Sequence, residues 1–414
     1  VDINSGYLSD YFTGVGTKRL TRVDATANSN QHEIGDANRG ETLMRVLGEE
    51  PRKQNNRFEA RYIWLHSEQE TITANGYLSW YDTRENQPHR AAEWRLYYQT
   101  NAVTELMDEG DTLFVARQLD GVVLFIVVPR ESDLTAQVSW LFGFRQQPDL
   151  AFETREFSED NDSGLDFISR FILDEIGIEF EDPNANSIDT IIERFGTTFP
   201  KTSEFSDLAR LTLPEIDARD DPDVALIAWL NHEEAMFRRL EKRVVAQRIE
   251  SGFLDDGEAD VDGFIQFSLS VQNRRKSRMG HSFQNHLKAV FDAFDIKHDT
   301  QVKTENGKTP DFIFPGREAY FDSAFPIPSL TMLAAKSSCK DRWPQILPEA
   351  ARIPQKHLVT LEPGISVNQT DAMKAENVQL VVPASIGNSY TDDQKAWLWS
   401  VADFLTIVAA RQAA

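Results

Sequence analysis

Two runs, TPDFIFPG (Thr309–Gly316) and LTMLAAKSSCKDRW (Leu330–Trp343), decide how the second half of this 414-residue chain is read. The first sets a Pro-Asp before a short apolar run, DFIF. The second is an apolar run, read as a buried strand, that closes on Lys336. Lysine is almost never fully buried unless it is paired, so negative charge is expected beside Lys336. That charge is either a structural carboxylate or the phosphate of a substrate. Asp311 opens one strand and Lys336 closes another. Glu349 lies thirteen residues further on, in a short helix expected to start near Pro344 or Pro348, since proline suits a first turn.

Two carboxylates and a lysine converging at strand ends can hold a hard divalent cation. Mg²⁺ takes one or two carboxylates plus a phosphate oxygen and keeps several waters, and the lysine can orient or deprotonate an attacking water. Spacing alone leaves a blander alternative open: Asp311 as a turn residue and Lys336 as an edge lysine with its head in water.

Around these runs, strands interleave with helices. A long amphipathic helix is predicted over Asp223–Glu250, with Pro222 near its start and Gly252 past its end. GHSFQNHLKAVFDAF reads as a helix, HLVTLEP and NVQLVVP as strands, and TDDQKAWLWSVADFLTIVAARQ as a final helix, which together make an α/β core. The first half has another texture. RFEARYIWLHS, GYLSWYD, AEWRLYYQT, DTLFVARQL and GVVLFIVVP are short aromatic and β-branched runs between turn formers, as in a barrel or sandwich.

The net charge of −23 weighs against a nucleic-acid partner. Its distribution softens that objection: residues 1–150 carry −7, residues 151–222 carry −13 and residues 223–414 only −3. The acidic segment contains two helix-like stretches, LDFISRFILDEI and SIDTIIERFG, so it is a partly helical connector rather than a bare linker. It is read as a solvated spacer, with an acidic lid over a DNA cleft as the sharper alternative. Cys339 is the only cysteine, which excludes an internal disulfide and a cysteine-built zinc site. No apolar run is long enough for a membrane span and no signal peptide is visible, so a cytoplasmic location is expected.

The run from TPDFIFPG through KSSCKDRWPQILPEAARIPQKHLVTLEPG to NVQLVVP resembles the catalytic domain of EcoRII-type restriction endonucleases. These are PD-(D/E)XK nucleases whose last acid has moved beyond the lysine. The first half, through TKRLTRVDATANSNQHEIG and AEWRLYYQT, resembles that family's effector-binding pseudobarrel. The resemblance implies a mixed fold, an N-terminal β-rich DNA-binding pseudobarrel followed by a C-terminal α/β restriction-endonuclease-like domain. It divides the chain into residues 1–165, an acidic partly helical linker 166–204, and a catalytic domain 205–414.

It also implies Mg²⁺ on Asp311 and Glu349, with Lys336 at the scissile phosphate. Lys340, Asp341 and Arg342 fall where the family reads G·C pairs, chemistry that suits donors to guanine and an acceptor from cytosine. The family usually adds an acid from the helix before the Pro-Asp. Here Gln284 or Ser282 stands in its place, which adds no negative charge, and His286 is read as a helix-face residue rather than a base. Phe237 and Trp229 are stacking candidates for extruded bases. In the first half, Lys18, Arg19, Arg22, Arg90 and Arg95 are expected on phosphates, with Gln31 on the same arm, and His32, Glu33 and Glu93 on base edges.

The expected activity is that of a Mg²⁺-dependent type II restriction endonuclease, cutting double-stranded DNA at a short CCWGG- or CCNGG-type site. A homodimer is expected for a palindromic site, with a second DNA copy on the first domain regulating cleavage. The alternatives are a DNA-binding regulator with an inactive nuclease fold and a nuclease that senses modified DNA.

Overall fold

The computed structural model describes residues 7–25, 32–48, 56–66, 71–87, 89–130, 132, 134–144, 148–158, 165, 167–178, 185–255 and 258–413. It divides into two compact units, Val1–Phe180 and Glu181–Ala414.

The first unit is built on one eight-stranded sheet. Its strands are β1 (Phe12–Arg19), β2 (Glu33–Ile34), β3 (Asn56–Trp64), β4 (Ile72–Asp82), β5 (Trp94–Tyr98), β6 (Thr112–Gln118), β7 (Val123–Val128) and β8 (Glu153–Glu156). They lie in the order β2-β5-β4-β3-β7-β6-β1-β8. Among the described residues only β3 and β7 pair in parallel; the other neighbours are antiparallel. Ile34 on one edge strand and Phe152, just before the other, share a single core with Tyr62, Trp80, Leu96 and Phe125. A flat sheet could not bring its two edges to one core, so this sheet curls. Helix α1 (Glu41–Leu47) closes that core with Leu43, Val46 and Leu47. The five predicted strands are present as β3 to β7; β1, β2 and β8 are additional to them.

Helices α2 (Phe167–Glu175) and α3 (Ala185–Ile192) occupy the two helix-like stretches of the acidic segment, α2 in the first unit and α3 in the second. Ile188 and Ile192 of α3 pack with Phe205 and Leu208 of α4 (Thr202–Leu211) and with Met236, Phe237 and Leu240 of α5 (Pro222–Glu250). The start of α5 follows from its caps: the Asp221 carboxylate accepts the backbone N–H groups of Asp223 and Val224, with Pro222 in the first turn.

Helix α6 runs from Val261 to Ala293, capped by the Asp260 carboxylate on Gly263 N–H. It begins well before the stretch read as helical, because its first half lacks a clear apolar period. A two-stranded ribbon, β9 (Leu254–Asp255) with β10 (Glu258–Ala259), joins α5 to α6.

The second unit's sheet has the order β11-β12-β13-β14-β15, with β11 (Asp299–Thr300), β12 (Phe312–Phe314), β13 (Thr331–Lys336), β14 (Lys356–Thr360) and β15 (Val378–Val381). The β11-β12-β13 half is antiparallel and the β13-β14-β15 half parallel, with α7 (Val367–Ala375) on the return to β15. This is the mixed α/β class expected. Strand β13 lies inside the sheet, so Lys336 is not on an edge strand.

Two expectations are corrected. The final helix is broken: a one-turn helix at Asp392–Lys395 precedes α8 (Val401–Ala413). Between them Trp399 bridges to Val381, and the buried Asp223 carboxylate accepts the backbone N–H groups of Ala384, Val401 and Ala402. Those bonds hold α8 as a separate helix. Glu349, in turn, sits on no helix. A 3₁₀ segment, Lys340–Ile346, contains Pro344 and ends before it. Proline inside the segment removes a donor, which prevents continuation as an α-helix.

Candidate active site and nucleic-acid contacts

The hairpin register of β12 against β13 carries Asp311 to the mouth of the sheet. Phe312 pairs with Leu333, so Asp311 stands beside the end of β13, and its Oδ2 accepts the Ala335 N–H at 2.7 Å. The Lys336 ammonium lies 3.7 Å from the same oxygen. Asp311 is 7 % exposed, whereas the lysine side chain is partly open to solvent. That is the disposition of a fixed carboxylate and a cation free to meet a ligand.

The other oxygen of Asp311 is held by two amides. Gln284 Nε2 donates to Oδ1 at 2.8 Å and Gln301 Nε2 at 3.1 Å. Gln284 thus bonds the aspartate rather than the lysine. Ser282 is buried beside Glu233 instead, and helps stabilise that carboxylate. Gln301 was missed. Its backbone N–H donates to the Asp311 carbonyl at 3.2 Å and its φ is 52°. A hairpin register drawn back from DFIF would have placed it opposite Asp311.

Glu349 reaches the same charge cluster. Burial pushes its carboxyl up to about 7, opposed by Lys336 and reinforced by Asp311. Its Oε2 is buried with no hydrogen-bond partner. A buried acceptor left unpaired is costly, and a hard cation coordinated there would supply the missing partner. Among the described residues, no cluster of three or more His, Cys, Asp or Glu forms a metal site. A cation here would take two carboxylates and complete its shell with water and phosphate.

The run after Lys336 is anchored from behind. Glu362, buried past the end of β14, accepts the Cys339 N–H on Oε2 at 2.7 Å, and its own carbonyl accepts the Tyr390 hydroxyl. The turn is tightened by Arg342 N–H donating to the Cys339 carbonyl. Trp343 is buried and Arg342 exposed. The Lys340 and Asp341 side chains lie outside the described residues.

His286 is a core residue, fully buried, not one on an open helix face. Its Nδ1 faces the Arg210 guanidinium at 2.9 Å and its Nε2 faces Glu233 at 2.7 Å. Guanidinium only donates, so Nδ1 accepts and Nε2 carries the proton given to Glu233. Burial holds the imidazole neutral. Burial alone would raise Glu233, but His286 and Arg278 outweigh it and bring it down to about 2.

Arg278 pairs with Glu233 and lies 4.1 Å over the Phe237 ring. Phe237, Phe199, Arg274 and Arg278 line a cavity of about 600 Å³. Trp229 packs on His286 and does not line it.

In the first unit, Arg19, Arg22 and Arg90 are exposed. Glu93 is held by Arg84 and by Arg95, whose guanidinium is 2.6 Å away. Glu33 accepts the Tyr81 hydroxyl. His32 stands edge-on to Tyr98 with its Nδ1 unpartnered. Gln31 lies outside the described residues. Lys18 is corrected: it is 4 % exposed, its ammonium 2.9 Å from Asp24 and 3.0 Å from the Gly35 carbonyl. Those long-range partners turn it inward, away from any phosphate.

Residues 237–405 match the family described as EcoRII C terminal. The type II restriction enzyme EcoRII of Escherichia coli is 42 % identical over 186 residues, 45 % of this chain and 45 % of that enzyme. The match thus spans less than half of that relative's length. Among solved structures, metal-depleted Ecl18kI with uncleaved, modified DNA aligns over 55 % of this chain and 84 % of that one, at 19 % identity and a TM-score of 0.45. The PspGI–substrate DNA complex aligns over 52 % and 94 %, at 15 % identity and a TM-score of 0.43.

Proposed function

We propose that this chain, whose residues 237–405 match the family described as EcoRII C terminal, is a Mg²⁺-dependent endonuclease that cuts double-stranded DNA at a short G·C-rich site of CCWGG or CCNGG type. The observation that carries this reading is the Asp311–Lys336–Glu349 cluster. It joins a carboxylate fixed by a backbone N–H, a half-open lysine and a buried carboxylate with an orphaned oxygen.

Asp311 and Glu349 would hold Mg²⁺, which when bound lowers the pKa of a coordinated water and neutralises charge on the phosphate. Ala335 N–H, Gln284 and Gln301 fix the orientation of the Asp311 carboxylate before any cation binds. Lys336 would bind the scissile phosphate and orient the attacking water. Cutting both strands of a palindromic site calls for a two-fold pair of centres, hence a homodimer. Of the two stacking candidates for an extruded base, Phe237 borders the cavity but is buried under Arg278, and Trp229 packs on His286 outside it.

Arg342 is the exposed base reader of the SSCKDRW run, flanked in the proposal by Lys340 and Asp341. Arg342→Ala should cost about 1–3 kcal/mol of discrimination at one G·C position, the worth of a bidentate base contact. Cleavage rates on a set of single-base variants measure this. Uniform weakening on every sequence would mark a phosphate contact instead.

The first unit would bind a second DNA copy through Arg19, Arg22, Arg90 and Arg95, with His32, Glu33 and Glu93 toward the bases. If it regulates cutting, full-length protein should cut two-site DNA faster than single-site DNA, and a fragment from residue 181 should lose that dependence. The fragment starts there because Ile188 and Ile192 belong to the core of the second unit. Equal rates on both DNAs for the full chain would remove the regulatory role. A DNA-binding regulator that does not cut is the second reading, favoured by an uncharged amide, Gln284, in place of the family's upstream acid.

A further inference from the structure

The Glu349 carboxylate leaves the chain from a turn with no regular secondary structure to hold it. Residues 347–353 lie between the 3₁₀ segment and β14, and Ala350 has a φ of 45°. Such a turn, with buried carbonyls, needs donors from elsewhere. Lys356, the first residue of β14, supplies them. Its ammonium donates to the carbonyls of Glu349 at 2.6 Å, Ala350 at 2.9 Å and Ile353 at 2.6 Å. The side chain is only 5 % exposed, and the Lys356 N–H is itself fixed to the Asn377 carbonyl at the start of β15.

Three convergent carbonyls match the three protons of an ammonium ion, which carries no acceptor to waste. A planar guanidinium presents its donors in a flat fork and does not match that set. The charged groups facing the ammonium are the carboxylates of Glu349 and Glu305. Thr304 Oγ1 adds a weaker tie at 3.3 Å to Ala350 N–H. The ammonium therefore joins the turn to the first residue of a central strand. With its main-chain carbonyl pinned, Glu349 cannot shift its backbone away from Lys336 and Asp311 without breaking a buried charged hydrogen bond.

We propose that Lys356 is a positioning residue that holds Glu349 where a divalent cation is taken up. The inference rests on the reading of Glu349 as a metal carboxylate. It makes Lys356 a supporting partner of the cation site that touches neither cation nor DNA.

The test uses the full chain as wild type, Lys356→Met, Lys356→Arg, Glu349→Ala and the Lys356→Met/Glu349→Ala double variant. Mn²⁺ binding is measured by electron paramagnetic resonance, and duplex binding is measured without divalent metal to show that each variant is folded. Loss of a supporting partner typically costs about 10–100-fold in metal affinity, so Lys356→Met should weaken Mn²⁺ binding at least about tenfold. Metal-free DNA binding should stay at the wild-type level, and Glu349→Ala should remove any further effect of the lysine change. If Lys356→Met does not fold, Lys356→Arg carries the same expectation with a smaller loss. Wild-type Mn²⁺ affinity in the folded lysine variants, with a loss in Glu349→Ala, overturns the inference and leaves the centre standing. Additive losses in the double variant also overturn it, since the lysine would then act by another route. Wild-type affinity in Glu349→Ala overturns the proposed centre, and the inference with it.

Discussion

Asp311→Ala should reduce Mg²⁺-dependent cleavage by at least about a thousandfold while the protein still binds duplex DNA. The aspartate is where the strand register, the Ala335 N–H and two glutamine amides converge. Removing its carboxylate takes away one of two proposed metal ligands and the negative partner of Lys336 together. Lys336→Ala should produce a comparable loss, because no other amine is placed beside Asp311 among the described ion pairs. Single-turnover cleavage rates, with duplex binding measured in parallel, give the result. A variant of either residue that cuts near the wild-type rate would mean that the chemistry is done elsewhere.

The second large effect concerns stability. Glu233 and His286 are fully buried and Arg278 nearly so, and they form one network with Arg210 across α4, α5 and α6. Glu233→Ala would leave the Arg278 guanidinium without its carboxylate and His286 Nε2–H without its acceptor. Breaking a buried pair by removing one partner costs about 3–5 kcal/mol, and that loss is expected in the unfolding free energy of the second unit. Glu233→Gln keeps an acceptor and should cost less. Denaturant unfolding compares the three proteins; an unchanged midpoint for Glu233→Ala would show that the network contributes little.

What was legible in the sequence follows from how local each signal is. Asp311 and Lys336 stand out because a charged residue at the end of an apolar strand contradicts its surroundings. The alternating strands of the first half carry their own period. The α5 helix is announced by Pro222 and Gly252.

The rest depended on contacts between distant residues. Lys18 looks like a surface base until Asp24 and Gly35 are folded against it. The break before α8 is made by Asp223, far upstream, accepting the N–H groups of Val401 and Ala402. Gln301 becomes a site residue only through the pairing of β11 with β12. Glu349 was found by its spacing, but the turn that carries it is held by Lys356 from the next strand, which no helical period encodes.

The most direct test of the nuclease reading is to incubate the full chain with plasmid DNA and Mg²⁺ and to sequence the ends produced. The account predicts double-strand breaks at one short, G·C-rich sequence, absent when the metal is chelated and absent with Asp311→Ala. Intact plasmid under all conditions, or ends scattered without a common sequence, would contradict it.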